Sequence, residues 1–265
     1  MGTAFPGLPP RVFGHRGAAG SAPENTLASF RRARADGADV FELDVHATAD
    51  GEIVVLHDPL LERTTDGAGP VSALRFAEVA RLDAGFHFTS DGGRTFPFRG
   101  RGVRVPRLAE LVREFPDVPL NIEIKQEAPS IVAEVAALLR AARTSVVLAA
   151  EHDVIMAAIR RVAPEIPTSL AAGEVAAFVG ALQQRVQYVL PAGAVALQIP
   201  PRFGNIELVT RETVAAAHAL GAEVHVWTIN EADEMRRLLT LGCDGIMSDL
   251  PARARAIVDA ECRRA

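Results

Sequence analysis

An alternation constrains the fold of this chain more than any single motif in it. Across 265 residues, short runs of β-branched and aliphatic residues recur, separated by alanine- and leucine-rich stretches whose apolar positions fall at helical spacing. This is the pattern of a parallel sheet with a crossover helix after each strand. Eight principal strands are expected near residues 11–14, 40–45, 120–124, 145–148, 168–170, 194–199, 223–227 and 245–247. One helix should begin near Asn25, with Leu27, Phe30 and Ala33 on one face and Gly37 placed to stop it. Others are expected at 108–115, 130–142, 152–162, 174–184, 211–220 and 232–241, and Glu151-His152-Asp153 reads as a helix start. Eight strand and helix units in a chain close to the typical ~250 residues fit a (β/α)8 TIM barrel better than an open doubly wound sheet. No glycine-rich dinucleotide turn follows the first strand, where His15-Arg16-Gly17 stands instead.

One run breaks the alternation. Residues 53–56 look strand-like yet follow the second strand with no helix between them. Asp50-Gly51 is a strong two-residue hairpin signal, so this run should fold back antiparallel and set Asp44 opposite His57. The stretch 58–106 then reads as a small lid-like insertion after the second strand, within a single barrel domain at 11–265 preceded by an extension at 1–10. In it Arg94, Arg99, Arg101, Arg104 and Arg107 alternate loosely with Phe86, Phe88, Phe96 and Phe98. The choice lies between a solvated loop and a lid meeting a leaving group or lipid headgroup.

Composition narrows the function. Hydrophobic residues at 49% and charged residues at 23% allow a real core and exclude intrinsic disorder. A formal charge of −5 gives no global attraction to nucleic acid or acidic lipid, so an anion must be captured by a local site. The amino terminus has no basic segment followed by an apolar run, and about eighteen uninterrupted apolar residues appear nowhere. A cytoplasmic protein with no stable membrane association is expected. Cys243 and Cys262 are too few for a disulfide framework.

In such barrels, charges near the carboxyl ends of strands converge on one mouth. Glu42 and Asp44 are two apart in an extended run and share a face, as do Glu123 and Lys125. Three carboxylates in one mouth repel unless a cation holds them, and hard oxygen ligands suit Mg²⁺ or Ca²⁺ rather than zinc. His15 and His57 close strands beside them and form a natural acid and base pair. Arg16 and Lys125 add positive charge for a phosphate, or else pair with a carboxylate.

These residues stand in His15-Arg16-Gly17, Pro23-Glu24-Asn25-Thr26, Glu42-Leu43-Asp44-Val45 and His57-Asp58, followed by Asn121-Ile122-Glu123-Ile124-Lys125, Trp227-Thr228-Ile229-Asn230 and Gly245-Ile246-Met247-Ser248-Asp249. Together they resemble the glycerophosphodiester phosphodiesterase family, whose members are (β/α)8 barrels with a small insertion after the second strand. The resemblance implies metal-dependent hydrolysis of glycerophosphodiesters to glycerol 3-phosphate and an alcohol. It implies Glu42, Asp44 and Glu123 as metal ligands, His15 and His57 as general acid and base, and Arg16 and Lys125 on the phosphate. Glu24 would turn toward the metal or His15, Asn25 would orient the site or cap the helix, and Trp227 would cover the glycerol. The chain departs from the family at Ala149-Ala150-Glu151-His152 and at Leu250, which bear on the alcohol pocket.

The mechanism favoured for these residues uses the substrate's own glycerol hydroxyl to attack phosphorus, giving a cyclic phosphate that water then opens, with direct attack by water as the alternative route. Two alternatives stand beside it. A lysophospholipase D on the same barrel would need an apolar groove at the mouth. A catalytically silent phosphate-binding barrel would lack a histidine or a carboxylate, and none is missing. A homo-oligomer is compatible with apolar faces on the outer helices.

Overall fold

The computed structural model describes residues 4–142 and 144–263; the first three residues of the expected extension and the last two of the barrel region lie outside them. In chain order the elements are β1 (Arg11–Gly14), α1 (Leu27–Ala35), β2 (Val40–Ala47), β3 (Ile53–Val55), α2 (Phe76–Val79), α3 (Leu108–Glu114), β4 (Leu120–Ile124), α4 (Val132–Arg140), β5 (Val146–Ala149), α5 (Asp153–Val162), β6 (Thr168–Ser169) and α6 (Ala172–Gln184). Then follow β7 (Ala194–Ile199), β8 (Arg202–Phe203), β9 (Ile206–Glu207), α7 (Arg211–Ala219), β10 (Glu223–Val226), α8 (Ala232–Leu241), β11 (Gly245–Ser248) and α9 (Pro251–Cys262). The parallel strands run in the order β1, β2, β4, β5, β6, β7, β10, β11, and β11 returns to pair with β1, closing a (β/α)8 barrel.

The side-chain period of two explains why charges survive inside strands that are buried throughout. Phe41, Leu43 and Val45 of β2, with Leu120, Ile122 and Ile124 of β4, join the apolar layer beneath α1, α3, α4 and α5. The intervening Glu42, Asp44, Asn121 and Glu123 therefore turn to the barrel interior. Val224 and Val226 of β10 pack outward in the same way, leaving Glu223 and His225 inside. Phe5 and Phe13 meet edge to face at 5.4 Å at the barrel floor. Around them Arg11 pairs with Glu223 at 2.9 Å, His225 bonds to Glu223 at 3.0 Å, and Gln198 spans His225 at 3.2 Å and Asn121 at 2.7 Å. Part of the expected extension thus plugs the barrel, through Ala4 and Phe5.

The expected hairpin forms, one residue out of register. Val45 opposes Val55, and the Leu56 N–H reaches the Asp44 carbonyl at 2.9 Å, so Leu56 rather than His57 faces Asp44. The turn is a three-residue loop: Gly51 N–H bonds to Thr48 C=O at 3.0 Å, Gly51 takes φ 82°, and Thr48 N–H closes on Glu52 at 3.0 Å. The Thr48 hydroxyl also binds Asp50 at 2.7 Å. This three-residue loop with a left-handed glycine carries one more residue than the loop read from Asp-Gly.

Residues 58–106 hold α2 and a short core of Leu61, Val71, Val79, Ala84 and Val105 against Val54 and Leu56. Arg99 lies between the Phe86 and Phe96 rings at 4.2 and 3.8 Å, and Phe88 meets Phe98 edge to face at 5.2 Å, so these side chains pack on one another. Three features had no counterpart among the expected elements: α2, the β8–β9 hairpin and α9, whose Pro251 sits in the first turn where its missing N–H costs nothing. Among the described residues no helix is long and apolar enough to cross a membrane.

Candidate active site

Register brings the carboxylates together. Asp44 and Glu123 are direct neighbours across β2 and β4, and Glu42 stands two residues before Asp44 on the same face. One oxygen from each of Glu42, Asp44 and Glu123 falls within 4.8 Å of the others. Burial and the neighbouring Asp44 charge push Glu42 up to about 7, and burial also raises Glu123 against the pull of Lys125. A cluster that resists full ionisation, built wholly of hard oxygen donors, fits a divalent cation. Here the Lys125 ammonium reaches Glu123 at 2.9 Å and Asp44 at 3.4 Å.

The turn after β1 is built by backbone constraint. Arg16 and Asn25 both adopt φ above 50°, a region few non-glycine residues enter. The Arg16 carbonyl is held from two sides, by the Asn25 N–H and the Ser29 hydroxyl, each at 2.9 Å. Gly17 follows at φ 86°, and a Cβ there would lie 2.5 Å from the Ser29 hydroxyl oxygen, so only glycine fits. The result aims the Arg16 N–H at Glu42 at 2.9 Å and its guanidinium at Glu24. Its Nε, 3.4 Å from Asp44, is buried without a hydrogen bond.

Each histidine is backed by a carboxylate. His15 Nδ1 lies 2.7 Å from Asp249, which in turn accepts from the Asn230 amide at 2.7 Å. Burial alone would lower the His15 pKa, but the bond to Asp249 and the charge of Glu42 raise it. Its Nε2 is left facing Glu42 at 4.0 Å. His57 Nδ1 lies 2.6 Å from Asp58, whose carboxyl is held at about 2 by Arg63 and His57 against partial burial.

His15, Arg16, Glu42, Asp44, His57, Glu123, Lys125 and Trp227 all line one cavity of about 700 Å³. Glu24 and Asn25 stand behind them. Glu24 faces neither the carboxylate cluster nor His15: it is sandwiched between Arg16 at 2.8 Å and Arg63 at 2.6 Å, because two guanidinium groups compete for it. Asn25 does not cap α1, since the Thr26 hydroxyl takes that place on Ser29 N–H; the Asn25 amide instead donates to Asp44 at 2.9 Å. Asp249, Asn230 and Arg63 were given no role by the sequence. Asp249 carried the signal used for the other residues, a charge closing a strand; Arg63 carried none.

The other end of the cavity is apolar. Ala172, Val175, Ala176, Val179, Gly180 and Gln183 recur at i, i+3, i+4 along α6 and face Phe203 and Ile206 of the β8–β9 hairpin. Phe203 is 72% exposed, and Trp227 stands half-open at the rim. No residue between 86 and 101 lines the cavity.

A family model, "Glycerophosphoryl diester phosphodiesterase family", matches residues 15–253. A Bacillus altitudinis protein named glycerophosphodiester phosphodiesterase is 31% identical over 92% of this chain and 96% of its own length. A Mus musculus protein named lysophospholipase D GDPD1 is 28% identical over 92% of this chain and 85% of its own. Among solved structures, an Oleispira antarctica phosphodiesterase in complex with the product sn-glycerol-3-phosphate superposes with a TM-score of 0.74 at 26% identity, covering 95% of this chain and 97% of that one.

Proposed function

This chain belongs to the glycerophosphoryl diester phosphodiesterase family, a family of hydrolases, and from that premise we propose how its residues work. The reading is hydrolysis of glycerophosphodiesters to glycerol 3-phosphate and an alcohol, with Mg²⁺ or Ca²⁺ held by Glu42, Asp44 and Glu123. One observation carries it: two carboxylate-backed histidines, two cations and three clustered carboxylates line a single cavity. When bound, the metal supplies positive charge to phosphate oxygens as negative charge grows on them.

The chain's own groups do the rest. Arg16, whose Nε makes no hydrogen bond, and Lys125 grip the nonbridging phosphate oxygens. Asn25 orients Asp44, and Trp227 at the rim covers the glycerol. One histidine takes the proton of the glycerol hydroxyl beside the diester. That oxygen bonds to phosphorus, the bond to the alcohol oxygen breaks, and the other histidine protonates the departing alcohol. In the second half the histidine that gave its proton takes one from water. The new hydroxyl opens the cyclic phosphate and the first histidine returns its proton to the ring oxygen, restoring both. Phosphorus NMR of glycerophosphocholine turnover tests this. Wild type should yield glycerol 3-phosphate, and His15→Ala and His57→Ala should each lose about 10²-fold or more; wild-type rates in either variant would sink the two-histidine mechanism.

The apolar end of the cavity favours a second reading, a lysophospholipase D-type reaction on a substrate that keeps one acyl chain. The stripe on α6 spans about 16 Å at the helical rise, near the depth of one bilayer leaflet, about half of a 30 Å hydrocarbon core. The mouse relative's name lends it support. If it holds, Val179→Trp should depress cleavage of lysophosphatidylcholine and leave glycerophosphocholine untouched; equal effects on both would discard it.

A further inference from the structure

Arg63 lies in the segment after β3, outside the cavity lining, and touches both arms of the site. Its Nη1 and Nη2 meet the two oxygens of Glu24 at 2.6 and 2.8 Å, a fork on a fork. Its Nε bonds to the second oxygen of Asp58, the carboxylate that holds His57 Nδ1. Glu24 in turn holds Arg16, and Arg16 approaches Asp44. A chain of contacts thus runs His57, Asp58, Arg63, Glu24, Arg16, Asp44, and Arg63 joins its two ends. The loop carrying it is pinned locally: Leu61 is fully buried, and both the N–H and the hydroxyl of Thr65 bond to the Leu61 carbonyl, at 3.0 and 2.8 Å.

We infer that Arg63 is a positioning residue, fixing the His57 arm and the Arg16 arm relative to one another; this rests on the roles given above to His57 and Arg16. Without the guanidinium, Asp58 keeps only His57 as a partner and is free to turn with it. Glu24 then falls to Arg16 alone and draws that guanidinium away from the phosphate. A lysine cannot replace the fork, because a single ammonium cannot serve both oxygens of Glu24 and the oxygen of Asp58 in one plane.

The test pairs kinetics with imidazole ¹⁵N NMR on the full chain. In Arg63→Ala, kcat for glycerophosphocholine should fall about 10- to 100-fold, the scale set by a small misplacement of reacting groups, with a smaller rise in KM. His57 resonances should move while those of His15 stay. Arg63→Lys should recover little, and millimolar guanidinium should recover part of the activity in Arg63→Ala. Unchanged kcat and unchanged His57 resonances would overturn the inference, as would a loss that follows a lowered melting temperature and does not respond to guanidinium. Should wild type cleave no diester, the functional reading falls, and the His57 resonances alone still decide the role of Arg63.

Discussion

The two histidine arms make the same pair by different means. His15 is backed by Asp249 from the end of β11, and Asp249 is fixed in turn by Asn230, which donates to its carboxylate and accepts from its N–H at 3.0 Å. Every part of that arm hangs from a barrel strand end. His57 is backed by its own sequence neighbour, Asp58, and the pair is steadied from outside the barrel by Arg63. The first arm is rigid because the barrel is; the second depends on whether the segment after β3 stays docked. One site thus draws half of its precision from the common scaffold and half from a segment peculiar to the loop, which is where variation between related chains is tolerated.

Severing the carboxylate partners breaks the comparison most sharply. Asp249→Asn and Asp58→Asn should each lower kcat by about tenfold or more, since an imidazole that loses its orienting carboxylate loses tautomer and angle together. Only the first should move His15. Its pKa is raised in the native protein, so the stabilisation from Asp249 is full below the usual value of 6.5 and is lost as pH rises through the raised value. Asp249→Asn should therefore bring His15 titration to lower pH, as read by NMR.

Metal binding should show a gentler dependence that belongs to neither arm. Glu42 is raised from 4.5 to about 7, so the metal-free fold is favoured below 4.5 and loses that contribution as pH climbs through about 7. Titration calorimetry should find Mg²⁺ or Ca²⁺ affinity increasing over the same interval, with proton release on binding. Affinity flat between pH 5 and 8 would mean the cluster is ionised without a cation. The smallest effect is expected at Thr228, whose hydroxyl stands 3.5 Å from His15 Nε2. Thr228→Val should change kcat by about twofold at most, within the reach of one weak hydrogen bond.

Much of this was legible because barrel strands are buried on both faces and read as apolar runs interrupted by inward charges. Glu42, Asp44 and Glu123 stood out among Phe41, Leu43, Ile122 and Ile124, and the structure brings them together. What escaped depended on contacts between distant segments or on local hydrogen bonds invisible to pattern. Asp249 meets His15 across 234 positions. Asn25 could be read as orienting the site or capping the helix, and only the Thr26 hydroxyl taking the cap and the Asn25 amide turning to Asp44 decide between the two. The hairpin register hinged on the Thr48 side chain widening the turn by one residue. The apolar arm of the cavity needed α6 and the two-residue strands β8 and β9 to be placed side by side, and strands that short leave no periodicity to read.

The most direct test of the central claim is release of glycerol 3-phosphate from glycerophosphocholine and glycerophosphoethanolamine, measured before and after chelation and again with Mg²⁺ or Ca²⁺ restored. The account expects release that stops with the chelator, returns with the metal, and fails to return in Glu123→Gln. Release that persists undiminished through chelation and through that substitution would contradict it.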